Sequence, residues 1–264
     1  MGDGDVKTEN AIEPKIEENG ISKSPPASRQ RAEKKLHLHK IFLPDSFKTY
    51  VVDSTKAFDN IVKLFRRDIQ DFKILSVDSE STHVSLASST NSTRSIDLLQ
   101  IGTLGGRAFL FRLALLKTSE LNYLRNIMAD PGIVKMGSLF QNKARRLFND
   151  WNIYVSNWID VQNVALNCLD KRVVGKSQGL RNMTRAFVGA ELEAFDVQSM
   201  GLWAAEELTE TQVNFAARNV IAIMDIFCSI YANRLRLPSV SIEEIKQHIA
   251  WTRFYSSAFY SAFA

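Results

Sequence analysis

From about residue 47 onward, short runs rich in β-branched and aromatic residues alternate with amphipathic stretches. That order predicts an α/β fold, a mixed sheet flanked by helices. A Gly-Gly pair between two neighbouring runs adds a hairpin to the sheet. Composition supports a packed core: 45% of the 264 residues are apolar and 23% charged, with 16 Phe, 4 Trp and 6 Tyr. A predominantly disordered chain is excluded by these aromatics, and collagen-like or low-complexity classes by only 12 Gly and 6 Pro. No internal repeat is present.

The elements follow in order. KTYVV (48–52) predicts a first strand, and Ser54-Thr55 opens a helix with Phe58, Ile61, Val62 and Phe65 at helical spacing. FKILSVDSES (72–81) is the next strand; HVSLASSTNSTR (83–94) is too rich in Ser, Thr and Asn to be anything but a loop. RSIDLLQIGTL (94–104) and RAFLFRLAL (107–115) are strands joined at Gly105-Gly106. A helix at 119–130, a buried strand IVKMG (133–137), a basic helix QNKARRLFND (141–150) and a strand near NWIDV (157–161) follow, and the remainder is expected to be helical to the end.

Residues 1–40 read as a disordered tail, with no periodicity and with Gly2, Gly4, Gly20, Pro14, Pro25 and Pro26 among charges and serines. Its charge is polarised: residues 1–20 carry six acids against Lys7 and Lys15, and residues 21–40 carry six bases against Glu33. Over the whole chain 33 basic residues face 29 acidic ones, net +4, which names no partner by itself. Cys168 and Cys228 are isolated, without C-x-x-C spacing, so a reducing compartment is expected and neither a disulfide framework nor a zinc knuckle. His37, His39, His83 and His248 show no metal-ligand spacing. The first 40 residues hold no signal-like apolar run, and later apolar stretches are broken by Arg112 and Asp225, so no secretion and no membrane partner are expected.

Asp78 and Glu80 are the informative pair. In a strand, residues i and i+2 share a face, so two carboxylates stand together on one side of the sheet. Alone, D-x-E is most simply a wetted strand end. Here it is followed by DLLQIGT (97–103), IVKMGSLFQNKARRL (133–147), IDVQNVAL (159–166) and LTETQVNFAARN (208–219). This ordered set resembles the RNase D and Werner-type 3′-5′ exonuclease domains, the tyrosine-containing branch of the DEDD nucleases (DEDDy) on an RNase H-like fold, over residues 47–234.

The resemblance implies a first motif that supplies an Asp and a Glu from one strand, which Asp78 and Glu80 match. It implies an Asp six residues after the Gly of K-x-G, where this chain has Lys143. It implies a helical Tyr-x-x-x-Asp, where this chain has Phe215 and Asn219. Three of five catalytic positions therefore differ. Two-metal phosphodiester chemistry needs hard oxygen ligands, and an ammonium 4 Å from a carboxylate replaces that cation with roughly 4 kcal/mol of Coulomb energy at an effective dielectric of 20. Lys143 is accordingly expected to pair with Asp78 or Glu80 without any ion. Asp150, seven residues after Lys143, and Asp225, six after Asn219, are poorly placed to substitute.

The reading that follows is a catalytically degenerate exonuclease-like domain that works as an RNA-binding or scaffolding adaptor. Degenerate relatives in germline small-RNA and mRNA pathways suggest that setting, in the cytoplasm, the nucleus or ribonucleoprotein granules. Lys143, Arg145, Arg146, Arg181 and Arg185 are the expected phosphate contacts. No cofactor is expected; magnesium or manganese on Asp78 and Glu80 belongs to the alternative, an active divergent exonuclease. A protein-interaction module without nucleic-acid contact is the third reading. Residues 240–264 set Ile242, Ile245, Ile249 and a run of aromatics at helical spacing and predict an aromatic helix at a protein contact or homodimer surface.

Overall fold

The fold is described from a computed structural model, which places residues 39–40, 47–82, 95–168, 179–192 and 202–235. Almost all of the tail at 1–40 and all of the aromatic segment at 240–264 lie outside the described residues, as does the loop 83–94.

The elements are β1 (His39–Lys40), β2 (Lys48–Val52), α1 (Thr55–Phe72), β3 (Ile74–Glu80), β4 (Leu98–Thr103), β5 (Arg107–Arg112), α2 (Thr118–Ala129), β6 (Val134–Gly137), α3 (Phe140–Trp151), β7 (Trp158–Asp160), α4 (Val161–Cys168), α5 (Leu180–Met183) running into a π turn (Thr184–Val188), β8 (Ala190–Glu191) and α6 (Glu210–Leu235). Six strands form one mixed sheet in the order β2-β5-β4-β3-β6-β7. Only β4 runs against its neighbours; the β2–β5, β3–β6 and β6–β7 pairs are parallel. The Gly105-Gly106 hairpin joins β4 to β5, and Ser54 caps α1 by accepting from the Ala57 N–H at 3.3 Å.

Strand alternation divides the core. Leu75 and Val77 of β3, with Leu99, Ile101, Phe109 and Phe111, face α1, α2 and α3 through Phe58, Phe65, Leu124, Phe140 and Leu147. Leu98, Ala108 and Leu110 point the other way, onto Ala216, Ala217 and Val220 of α6. Gly102 lets α6 lie that close: a Cβ there would stand 2.4 Å from Ser76 Oγ and 3.0 Å from Val220 Cβ. By length and composition the stretch Glu210–Ile230 would suffice to cross a bilayer, but 56% of its most apolar window is buried inside the protein.

Two sequence expectations change. The segment after β7 is not helical throughout: Gly189, at φ 67°, ends the π turn in the left-handed region that favours glycine, and β8 follows. Residues 202–209 are also irregular and lead into α6. The strand β8 pairs in parallel with β1, so His39 and Lys40, the last residues assigned to the tail, carry strand structure instead. Two residues are too few for a period to show in sequence.

Candidate functional site

Asp78 and Glu80 lie at the C-terminal end of β3, on the face that α6 covers, because Ile74, Ser76, Asp78 and Glu80 share one side of the strand. Asp78 is 3% exposed. The antiparallel register sets Gln100 of β4 directly opposite it. The α3 helix brings Lys143 to the same point, and its Nζ donates to Asp78 Oδ1. From α6, buried Asn219 donates through Nδ2 to Glu80 Oε1 at 3.5 Å. Phe215, one turn earlier and on the same face of α6, packs its ring 6.3 Å from that of buried Trp203. Three segments distant in sequence, β4, α3 and α6, thus converge on the two carboxylates of β3.

Their electrostatics follow from burial. Glu80 is pushed up to about 8, first by burial and then by the neighbouring Asp78; Lys143 and the nearby Gln100 amide pull the other way without winning. At neutral pH Glu80 is therefore mostly protonated, and Asp78 with Lys143 forms a closed ion pair beside it. Gln100 is fully buried near Glu80, and its amide oxygen and nitrogen have no hydrogen bond of good geometry among the described residues.

The basic residues divide into two groups. Arg146 donates to Ser81 Oγ at 2.6 Å, immediately after Glu80, so it borders the same site as Lys143. Arg145 is exposed on α3, with Asn142 Oδ1 at 3.5 Å. Arg185 pairs with Glu191 at the surface. Two residues on, the Phe187 carbonyl accepts from Ser229 Oγ at 2.5 Å, ten residues along α6 from Asn219 or about 15 Å of helix. Arg185, and Arg181 one turn before it, therefore flank a different stretch of α6 from the carboxylates.

Sequence reasoning passed over the residues that hold this arrangement. Asp160, at the end of β7, accepts from Phe140 N at 2.9 Å through one oxygen and from Gln162 N at 2.9 Å through the other, capping α3 and α4 together. Thr209 and Gln212 form a reciprocal cap on α6: Thr209 Oγ1 accepts from Gln212 N at 3.2 Å, and Gln212 Oε1 accepts from Thr209 N at 2.9 Å. A Thr followed three residues later by Gln ahead of an apolar run was the signal that could have found this cap. Arg112 donates to the carbonyls of Ala205 and Glu206 and ties the segment before α6 to the end of β5.

A sequence model of the 3′-5′ exonuclease family matches residues 52–233. The chain belongs to that family. Among curated proteins, human exonuclease 3′-5′ domain-containing protein 2 is 25% identical over 210 residues, covering 78% of this chain and 32% of the relative. The Drosophila melanogaster protein of the same name is 24% identical over 168 residues, 63% of this chain and 27% of the relative. The chain thus spans about a third of the length of the curated relatives it matches. Among solved structures, the Aedes aegypti Nibbler EXO domain superposes with a TM-score of 0.59 at 17% identity, over 80% of this chain and 98% of that one. Escherichia coli RNase D gives 0.55 at 20% identity, over 70% and 45%. These comparisons place the chain in the DEDDy-type branch, on the RNase H-like exonuclease fold.

Divalent-ion chemistry in such a fold requires a set of hard, charged oxygen ligands. The residues present do not fit that requirement. Lys143 places an ammonium on Asp78, Asn219 offers an amide to Glu80, and Phe215 has no hydroxyl. Among the described residues no group of three or more His, Cys, Asp or Glu converges. Asp150 accepts from Ile96 N at 3.0 Å and is occupied away from the carboxylate pair.

Proposed function

We propose that this chain is a non-cleaving member of the 3′-5′ exonuclease family that binds single-stranded nucleic acid, RNA above all, as an adaptor or scaffold. One observation carries the reading: the Lys143 ammonium sits on Asp78, where a divalent ion would have to bind. A bound cation of the chain's own neutralises the carboxylate and blocks the position, so cleavage is lost while the shape of the site persists. Phosphate contact needs Lys and Arg rather than catalytic acids, and Lys143, Arg145 and Arg146 stand on one helix beside the site. The choice of RNA is supported by the name of one structural neighbour, an exoribonuclease involved in structured RNA processing. Small-RNA or mRNA regulation is the setting that suits such an adaptor.

The test is to incubate the purified chain with 3′-ended single-stranded RNA and DNA in magnesium and in manganese, and to measure RNA binding with and without EDTA. No shortening, together with salt-sensitive binding that survives EDTA, is the expected result. Laddering that Asp78→Ala abolishes would establish an active divergent exonuclease instead. No binding at low salt would leave a protein-interaction module.

A further inference from the structure

Two features of the chain have no part in the carboxylate site: the sorting of charge within the first 40 residues, and the exposed pair Arg181 and Arg185. Residues 1–20 carry six acids against two bases, net −4, and residues 21–40 carry six bases against one acid, net +5. The two halves nearly cancel. A stretch that served solubility alone would need no such sorting, because interspersed charges hydrate as well as separated ones. Blocks of one sign repel within themselves and attract a partner of the other sign.

The fold fixes where the basic half ends. β1 pairs in parallel with β8, His39 with Ala190 and Lys40 with Glu191, so the last residues of that half are held by backbone pairing on the strand that follows the π turn. Arg181 and Arg185 lie in the helical segment just before that strand, one turn apart, and both are exposed. Arg185 pairs with Glu191, yet its side chain stays 42% exposed. An ion pair this wet contributes little and exchanges readily for another anion. The π turn is bonded through Phe187 to Ser229, about 15 Å of helix from Asn219, and β8 begins three residues after Phe187. The root of the basic half therefore lies within roughly 30 Å of the carboxylate pair. Arg29 stands eleven residues before Lys40, a chain length of at most about 40 Å. A single strand of nucleic acid that meets Lys143 is thus within reach of Arg29, Arg31, Lys34 and Lys35.

We propose that residues 29–35 are a basic arm which, with Arg181 and Arg185, forms a second phosphate-binding element for single-stranded RNA, anchored by the β1–β8 pairing. The arm rests on the nucleic-acid-binding reading above and extends it from α3 to the π turn and β8. Phosphate is the chemistry that fits, because Arg and Lys supply charge and donors without demanding a base sequence, and each contact releases counterions from the strand. The acidic half on the same chain competes for those bases. That gives the arm a sign which an inert spacer lacks: removing the acids should tighten binding.

The test measures fluorescence anisotropy of a labelled oligouridylate as potassium chloride is raised, with the full chain throughout and thermal unfolding alongside. Wild type is compared with an arm variant (R29Q/R31Q/K34Q/K35Q), with R181Q/R185Q, and with an acid variant (E9Q/E13Q/E17Q/E18Q). Each base that meets a phosphate contributes about 0.7 to the slope of log affinity against log salt, so the arm variant should lose about 2–3 in slope and R181Q/R185Q about 1. The arm variant should also bind about tenfold more weakly at low salt, and the acid variant about threefold more tightly. All should unfold at the wild-type temperature. A slope unchanged in the arm variant or in R181Q/R185Q overturns the second element while leaving RNA binding at α3 intact, and so does an acid variant that binds no tighter than wild type. A lower melting temperature with an unchanged slope would make the stretch part of the fold, which overturns the arm as well. Binding of phosphatidylserine vesicles but not of RNA, lost in the arm variant, would make it a membrane element and overturn the RNA arm. If wild type binds no RNA at low salt, the nucleic-acid reading fails and the arm with it.

Discussion

Lys143 sets the charge balance at the carboxylate pair. Its ammonium answers a buried carboxylate that would otherwise stand beside a second acid, and it does so without leaving solvent altogether. Lys143→Ala should therefore destabilise the fold by about 1–2 kcal/mol in urea unfolding. That is less than the 3–5 kcal/mol for breaking a wholly buried pair, because the lysine is partly hydrated. Glu80→Gln should cost almost nothing, since a group held near 8 is already neutral at pH 7. A loss for Glu80→Gln as large as for Lys143→Ala would show that Glu80 is ionised in the fold. Lys135 provides the pH dependence. It is fully buried, donates to the Asp130 carbonyl at 2.6 Å, and is pushed down to about 8 by burial, against the pull of Asp130. Between pH 8 and about 10.5 the unfolded chain holds a proton there that the folded chain has lost, so stability rises with pH across that window, by about 3 kcal/mol at most. Urea midpoints should show this rise in wild type and lack it in Lys135→Met. Asp78, Glu80 and Lys143 were legible in the sequence because strand period and motif spacing place them. Gln100 was not, because the β3–β4 register that sets it opposite Asp78 is a tertiary fact.

Helix ends carry as much of the site as the strands do. The Thr209 and Gln212 cap fixes where α6 begins, hence where Phe215 and Asn219 fall, and the same Gln212 holds the Leu202 carbonyl. Thr209→Ala should cost about 1 kcal/mol, the usual worth of an N-cap, while leaving Leu202 tethered. Gln212→Ala should cost more and loosen residues 202–205, seen as faster amide exchange at Ala204 and Ala205. Asp160→Ala removes two helix caps at once and should cost about 2 kcal/mol or more, double the single-cap figure. Equal losses for Thr209→Ala and Asp160→Ala would mean that one of the two Asp160 bonds contributes nothing. The order of strands and helices from β2 through β7 was readable from period, and the GG hairpin from its turn chemistry. What failed was the segment after α4, where the expectation of continuous helix missed β8 and the irregular run at 202–209. The apolar content there is real, but Gly189 and the contacts of Arg112 break it, and those contacts come from β5, far away in sequence.

Taken together, the chain keeps the frame of a phosphodiesterase around an altered charge balance. The sheet order sets β3 between β4 and β6, α3 comes up beside β6, and α6 lies across the face that Asp78 and Glu80 share. The family resemblance implies four carboxylates in this place; the chain supplies two, with one ammonium among them. If the frame is intact and only the charges have changed, two substitutions should reopen it. Lys143→Asp removes the internal cation and adds an acid on α3, and Asn219→Asp adds another on α6 where an amide now meets Glu80. The double variant should be less stable than wild type without divalent ions, because four close carboxylates repel, and should recover stability as manganese or magnesium is added. Wild type should show no such dependence. Titration calorimetry of manganese should register heat with the double variant alone, and Phe215→Tyr added to it should leave that affinity unchanged while raising any cleavage rate. Tight manganese binding by wild type would mean that Lys143 yields its place to the ion. No binding by a folded double variant would mean that the frame around the carboxylates has moved as well as the charges.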